Sequence, residues 1–361
     1  MKHTTRRIGF ITAAVAAICF SAIPAAAKFT KGPYIQNGRT DGVTICWESD
    51  KSQAATVIVT KSGATAASVA APGDSDFHKI KIGSLAPGTT YDYSVREADG
   101  SEAAGSFRTF PAKQEPFRFA AYGDTRSLHY LHRALIKWII KFKPAFLLNS
   151  GDLVEDGTKP DQWGAFWDIV EPFARDAYYY PVLGNHERDS EIYFKYFDLP
   201  DNGKDGRYYS FTYSNVLVVG LDYDELLSGD QKNWLIKQLK ASDADFKIVV
   251  FHIPLYSSGK RPPNVFLRKI YVPIFKKYGV QLVLNGHDHF YERSVDSNGI
   301  QYVVTGGGGA PLYDFVRKIP ESVVRVKVNH FMIFDVSGKR MDAKAIDIDG
   351  KVIDTFTITA K

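Results

Sequence analysis

The sequence predicts an α/β (α+β) chain in which mixed sheets flanked by helices are preceded by a small all-β sandwich domain. Three observations predict it. Residues 28–112 carry short strands and turn signals with no helical period. From Phe117 onward, apolar strands alternate with segments whose apolar residues recur at helical spacing, which implies parallel strands with helices on the faces. The segment Tyr208–Leu221 and the tail Val324–Ile358 read as antiparallel additions. A length of 361 residues and a hydrophobic fraction of 45% suffice for two cores.

Residues 1–27 read as a secretory signal. Lys2, Arg6 and Arg7 open it, Ile8–Phe20 is its apolar stretch, and Ala25-Ala26-Ala27 supplies an A-x-A cleavage site. The apolar stretch is too short for a membrane span with these flanks. Export to the periplasm or the extracellular space is therefore expected. Thr5-Arg6-Arg7 hints at the twin-arginine route, although Gly9 stands where an apolar residue is usual. Cleavage would remove three basic residues and take the net charge from +5 to +2. It would also remove Cys19, leaving Cys46 alone and no intramolecular disulfide possible. The chain has no basic run, so nucleic-acid binding is not expected.

Within 28–112 the strands include Val43–Trp47, Ala55–Thr60, His78–Ile82 and Thr90–Val95. Turn signals are Asp41-Gly42, Pro72-Gly73, Pro87-Gly88 and Asp99-Gly100. No ligand-bearing cluster appears, so support or recognition is the expected role of this antiparallel sandwich. Cys46 falls inside an apolar strand and reads as a buried thiol. Residues 113–116 are the predicted linker, and 117–361 the second domain with its C-terminal β tail.

In that domain Phe117–Tyr122 is a strand. Ser127–Phe142 is a helix by the spacing of Leu128, Leu131, Leu135, Trp138 and Ile139, and it stops near Pro144. Ala145–Leu148 is the next strand, followed by a helix through Trp163 and Trp167, then the strand Tyr178–Leu183. The hairpin Tyr208–Leu221 turns near Ser214-Asn215. Helices around Gln231–Leu239 and Asn264–Tyr278 flank the strand Lys247–Phe251, and Val280–Leu284 is a further strand.

The chemistry lies just beyond the ends of these strands. The segments are Gly123-Asp124-Thr125-Arg126, Gly151-Asp152-Leu153-Val154-Glu155, Gly184-Asn185-His186-Glu187, His252, and Gly286-His287-Asp288-His289. In open α/β sheets, ligands collect at the carboxyl ends of strands, so the five segments can converge. Each alone is a weak signal. Together they bring Asp, Asn and His into one region, and burying so many polar groups with no ion to satisfy them would cost several kcal/mol. Carboxylate, amide and imidazole ligands suit Zn, Mn or Fe better than Ca or Mg. Their number suggests two divalent or trivalent ions bridged by one carboxylate, an arrangement suited to phosphate-ester hydrolysis.

The order GD, GD, GNHE, H, GHDH resembles the calcineurin-like metallophosphoesterase family over about 120–361. The run Gly286-His287-Asp288-His289-Phe290-Tyr291-Glu292-Arg293 is similar to the GHxHxYER of its purple acid phosphatase branch. So is the opening Lys31–Asn37 with Trp47-Glu48, which looks like that branch's fibronectin-III-like N-terminal domain. The resemblance implies a four-layer sandwich of two mixed sheets flanked by helices. It further implies that Asp124 and His289 bind one metal, that Asn185, His252 and His287 bind the other, and that Asp152 bridges them. His186 would face the substrate and protonate the leaving oxygen or stabilise the phosphate. The reaction implied is in-line attack of metal-bound hydroxide on a small phosphate ester, most readily a phosphomonoester.

The chain departs from the family in two places. Where many members carry D-x-H, Arg126 stands two residues after Asp124, and where purple acid phosphatases carry Tyr, Glu155 stands three residues after Asp152. No purple charge-transfer colour is expected without that Tyr. His129 is the first candidate to complete the metal site, Glu155 the second and water the third. Arg126 suits gripping a phosphate oxygen. Gly306–Gly309 lacks the Lys-Ser/Thr and helix of a P-loop and reads as a close backbone approach beside the site. His330 reads as structural, Tyr178–Tyr180 as sheet packing, and Asp222 and Tyr223 as candidate pocket lining. Two alternatives stand beside a phosphomonoesterase. One is a phosphodiesterase acting on nucleotides or phospholipid head groups. The other is a surface binding protein with a degenerate metal domain.

Overall fold

The computed structural model describes residues 28–261 and 264–360. The signal segment expected at 1–27 lies outside the described residues. The N-terminal region is all strand. β1 (Phe29–Gln36), β2 (Val43–Gln53) and, after β3 (Ala55–Lys61) and β4 (Ala64–Ala70), β5 (Ser75–Ile82) make one sheet in the order β1-β2-β5. With β6 (Thr90–Glu97) and β7 (Glu102–Arg108), the second sheet runs β4-β3-β6-β7, and every pairing in both is antiparallel. Alternation along β3, with Val57 and Val59 buried between half-exposed neighbours, is the pattern of a sheet with one wet face. Cys46 is a free, buried thiol, as its apolar strand implied.

The remainder alternates strands and helices. In order come β8 (Phe117–Tyr122), α1 (His129–Phe142), β9 (Phe146–Asn149), α2 (Pro160–Ala174), β10 (Tyr178–Pro181), α3 (Glu191–Tyr196), β11 (Tyr209–Tyr213), β12 (Val216–Gly220), α4 (Gly229–Ala241) and β13 (Phe246–Val250). Then follow α5 (Val265–Tyr278), β14 (Leu282–Asn285), β15 (Tyr291–Val295), β16 (Gln301–Thr305), β17 (Ser322–Val326), β18 (His330–Ser337), β19 (Arg340–Asp347) and β20 (Val352–Thr359). A six-stranded sheet runs β10-β9-β8-β18-β19-β20 and a seven-stranded sheet runs β11-β12-β13-β14-β16-β15-β17. In the first, β8, β9 and β10 are parallel. In the second, β12, β13, β14 and β16 are parallel.

Side-chain alternation explains the layering. Along β12, β13 and β14, Val218, Ile248, Val250, Leu282 and Leu284 belong to one apolar core, while Val219, Val249 and Val283 belong to another beneath α4 and α5. The first core is the interface between the sheets, where Phe146 meets Phe119 of its own sheet and Phe211 of the other, at ring separations of 5.1 and 5.4 Å. On the far face of the six-stranded sheet, Tyr122 meets His132 of α1, and Tyr179 meets Phe166 of α2. Helices, sheet, sheet and helices give the four layers expected.

The tail departs from the simple reading. β17 joins the seven-stranded sheet, whereas β18 crosses to pair with β8 in the six-stranded one. Strand periodicity marks such segments as strands but cannot say which sheet takes them. The N-terminal sheets are joined to the rest by a shared core. Tyr34 stacks on Trp167 at 4.0 Å and donates to the Tyr196 carbonyl, and Thr44 donates to Asp198 at 2.7 Å. No helix among the described residues is long and apolar enough to cross a membrane.

Candidate metal centre

Parallel strands place the site. β8, β9 and β10 of one sheet and β13 and β14 of the other end on the same side, and the five motif segments follow those ends. Asp124, Asp152 and His287 each adopt a left-handed backbone, with φ of 56°, 57° and 71°. Such conformations are costly for a side-chain-bearing residue and persist where the surroundings fix them, commonly at functional sites.

Two groups of donor atoms result. In the first, ligand atoms of Asp124, Asp152 and His289 all lie within 4.8 Å of one another. His289 donates through Nδ1 to the Pro311 carbonyl at 2.7 Å, which leaves the lone pair of Nε2 facing Asp124 Oδ1 at 3.4 Å. Stacking on Tyr313, with ring centroids 3.9 Å apart, fixes that ring. In the second, His252 donates through Nδ1 to the Ser150 carbonyl at 2.9 Å. Its Nε2 then faces Asp152 Oδ1 at 3.3 Å, Asn185 Oδ1 at 3.1 Å and His287 Nδ1 at 3.0 Å. Asp152 belongs to both groups.

Oxygen and nitrogen lone pairs thus converge in a buried place, an arrangement that asks for a cation. The electrostatics point the same way. Burial pushes the His252 imidazole down, but the Asp152 carboxylate more than offsets it and raises the pKa to about 9. Burial pushes Asp152 up, yet His252 and then His186 hold it well below the usual carboxylate range. His287 is driven the other way, to about 2, by burial first and then by His252 and Arg261. The residues therefore fit a metal centre of oxygen and imidazole donors, which suits Zn, Mn or Fe.

The remaining expected residues divide. His186 is half-buried at the rim, with its backbone N–H donating to Asp152 at 3.0 Å, Nδ1 donating to the Glu155 carbonyl at 2.6 Å, and Nε2 3.8 Å from Asp152 Oδ2. Arg126 lies against the first group, with Nε 3.5 Å from Asp152 Oδ2 and Nη2 3.5 Å from His289 Nε2. Glu155 is not turned to the donor atoms but accepts from Arg126 Nη1 at 2.6 Å and from Ser127 Oγ at 2.7 Å. His129 is likewise not brought to the donors and does not complete the first group. It is exposed at the first residue of α1 and lines a cavity of about 280 Å³ with Ser127, Leu153, Glu155 and Phe166, while the place beside Asp152 and His289 is filled by Arg126.

Of the discounted residues, His330 is buried, bonded to Thr305 and the Val328 carbonyl, and has its pKa lowered by burial to about 4. Tyr223 packs against the His252 ring at 6.1 Å, while Asp222 turns away to Arg207. In the glycine run, a Cβ on Gly306 would lie 2.8 Å from Asp124 Oδ2, so the close backbone approach is real.

Some contributors carried no isolated signal in the sequence. Arg261 donates through Nη1 to His287 Nδ1 at 3.0 Å, and Tyr313 backs His289. Glu187, present in the GNHE run but given no role, is buried and accepts from the backbone N–H of Asp152 at 3.0 Å, Leu153 at 2.7 Å and Gly184 at 2.6 Å. Its pKa rises to about 7, through burial first and then the Asp152 charge. Glu187→Ala would strand three buried donors in the loop that carries Asp152. Chemical denaturation of that variant is expected to show a loss of roughly 2–4 kcal/mol. A change below about 0.5 kcal/mol, the range of ordinary surface substitutions, would rule out this structural role.

Comparisons with known proteins show what this chain resembles in sequence and fold. The family described as Calcineurin-like phosphoesterase matches residues 117–291. An uncharacterized protein of Mycobacterium tuberculosis is 28% identical over 259 residues, covering 58% of this chain and 49% of that protein. Purple acid phosphatase 18 of Arabidopsis thaliana is 29% identical over 260 residues, covering 64% of this chain and 58% of that protein. The chain thus spans about half the length of the curated relatives it matches. Among solved structures, purple acid phosphatase PPD1 from yellow lupin (Lupinus luteus) seeds superposes with a TM-score of 0.80 at 21% identity, covering 91% of this chain and 74% of that one.

Proposed function

Because residues 117–291 form a calcineurin-like phosphoesterase domain, we propose that this chain is an exported phosphomonoesterase with a binuclear metal centre. The observation that carries the reading is the convergence on His252 Nε2 of Asp152 Oδ1, Asn185 Oδ1 and His287 Nδ1, all within 3.3 Å, beside a second donor group that shares Asp152. Asp124 and His289 would hold one ion, Asn185, His252 and His287 the other, with Asp152 between them. When bound, such ions make water acidic and neutralise phosphate charge.

The chain's own residues supply the rest. Arg126 and Arg261 bring guanidinium donors to the first and second groups respectively. Two guanidinium groups suit the dianion of a monoester better than the single charge of a diester. His186 is steered by the Glu155 carbonyl so that Nε2 points toward Asp152. From there a proton on Nε2 can pass to the leaving oxygen. Export is supported by the composition of residues 1–27.

The test is direct. The purified protein should carry a transition ion and hydrolyse p-nitrophenyl phosphate faster than bis-p-nitrophenyl phosphate. The reverse ratio would make it a phosphodiesterase. Absence of both metal and hydrolysis would end the enzymatic reading.

A further inference from the structure

The structure assigns Arg126 a second role, as a resident cation that makes the two donor groups unequal. The group at Asp152, Asn185, His252 and His287 is the tight metal site, and the group at Asp124, Asp152 and His289 admits an ion only against the guanidinium. This rests on the metal-centre reading above and adds to it an order of affinity.

The geometry carries the argument. Arg126 is only 9% exposed, and its guanidinium touches two of the three ligands of the first group, Asp152 Oδ2 and His289 Nε2, each at 3.5 Å. Its Nε is buried with no hydrogen-bond partner among the described residues. Its other edge is tied by Nη1 to Glu155, which Ser127 also holds. The two positions where the chain departs from the family pattern are therefore bonded to each other. One brings a permanent charge and the other fixes its place. In a buried site little water screens two cations, so an ion entering the first group meets strong repulsion. The second group escapes this penalty. Its nearby cation, Arg261, is solvent-exposed and can retract into water.

Calorimetric titration of the chelator-stripped full-length protein with Zn²⁺, with elemental analysis of the dialysed product, tests this. Wild type should bind in two phases whose affinities differ by about tenfold or more. Arg126→Ala should narrow the gap, Arg126→His should narrow it further by restoring an imidazole, and Arg126→Lys should keep it. If Arg126→Ala does not fold, comparison of the His and Lys variants decides. His252→Ala should abolish the tight phase and spare the weak one. Two equal sites in wild type, or a gap unchanged in a folded Arg126→His protein, would overturn the inference while leaving the metal centre standing. A folded wild type that binds no ion would overturn the metal centre itself.

Discussion

Asp152→Asn should reduce kcat/KM for p-nitrophenyl phosphate by about a thousandfold or more, because this side chain is the one shared by both donor groups. The substitution keeps the volume, and Oδ1 can still accept from the His186 backbone N–H, a bond of 3.0 Å in the native chain. Glu187 still organises the loop from behind through the Asp152 N–H. Folding should therefore survive, and the loss should fall on charge alone. Near Asp152, His252, His186 and Arg126 all draw on that negative charge. Without it they repel one another and any incoming ion. Elemental analysis should show less metal per chain in the variant. A variant with native metal content and activity would exclude Asp152 from the centre.

Gly286→Ala is the second large effect. A Cβ there would stand 2.5 Å from Asp124 Oδ2, 2.9 Å from Ser150 Oγ and 3.0 Å from the Ser150 carbonyl. Real contacts of this kind do not occur, so either Asp124 or the β9 turn must move. Overpacking of a tight interior typically costs about 1–3 kcal/mol. The greater damage is to geometry. Asp124 is held by two contacts from the His287 N–H, at 2.9 and 3.0 Å, and the same turn carries His287 and His289. Displacing a ligand by about 1 Å is expected to lower kcat about a hundredfold. Denaturation and steady-state kinetics on the same preparation would reveal both losses. Wild-type kcat together with an unchanged unfolding midpoint would show that the site has room the structure denies it.

The layered fold was legible because its cause is local. Val218, Val250 and Leu284 alternate with Val219, Val249 and Val283, and a period of two in buried strands is visible without any partner. The strand-end donors were legible for the same reason. A strand that stops at glycine and then offers Asp, Asn or His announces itself within a few residues. What stayed hidden depends on distant neighbours. Glu187 matters through three backbone N–H groups, and Arg261 through a ring 26 positions away. His129 had a suitable residue type and a suitable distance along the chain. The neighbouring Arg126, held down by Glu155, reached the position first. Nothing in the linear order of residues says which of two candidates wins such a contest. Likewise Tyr291-Glu292-Arg293 sits in the most distinctive run of the chain but serves attachment. Tyr291 and Arg293 bond Asp354, and Glu292 takes both the N–H and the hydroxyl of Ser258.

The crossing of the tail from one sheet to the other has a consequence for assembly. β18 lies along β8, the strand that delivers Asp124, and Asp354 of β20 clasps Tyr291 and Arg293 just beyond His289. A ribosome that has translated as far as residue 327 has already made every donor residue of the site. At that stage β8 still has a bare edge, and the clasp has not been synthesised. Closure of the centre thus depends on residues 330–359, which follow every donor in the sequence, and an ion should be held firmly only once those strands are in place.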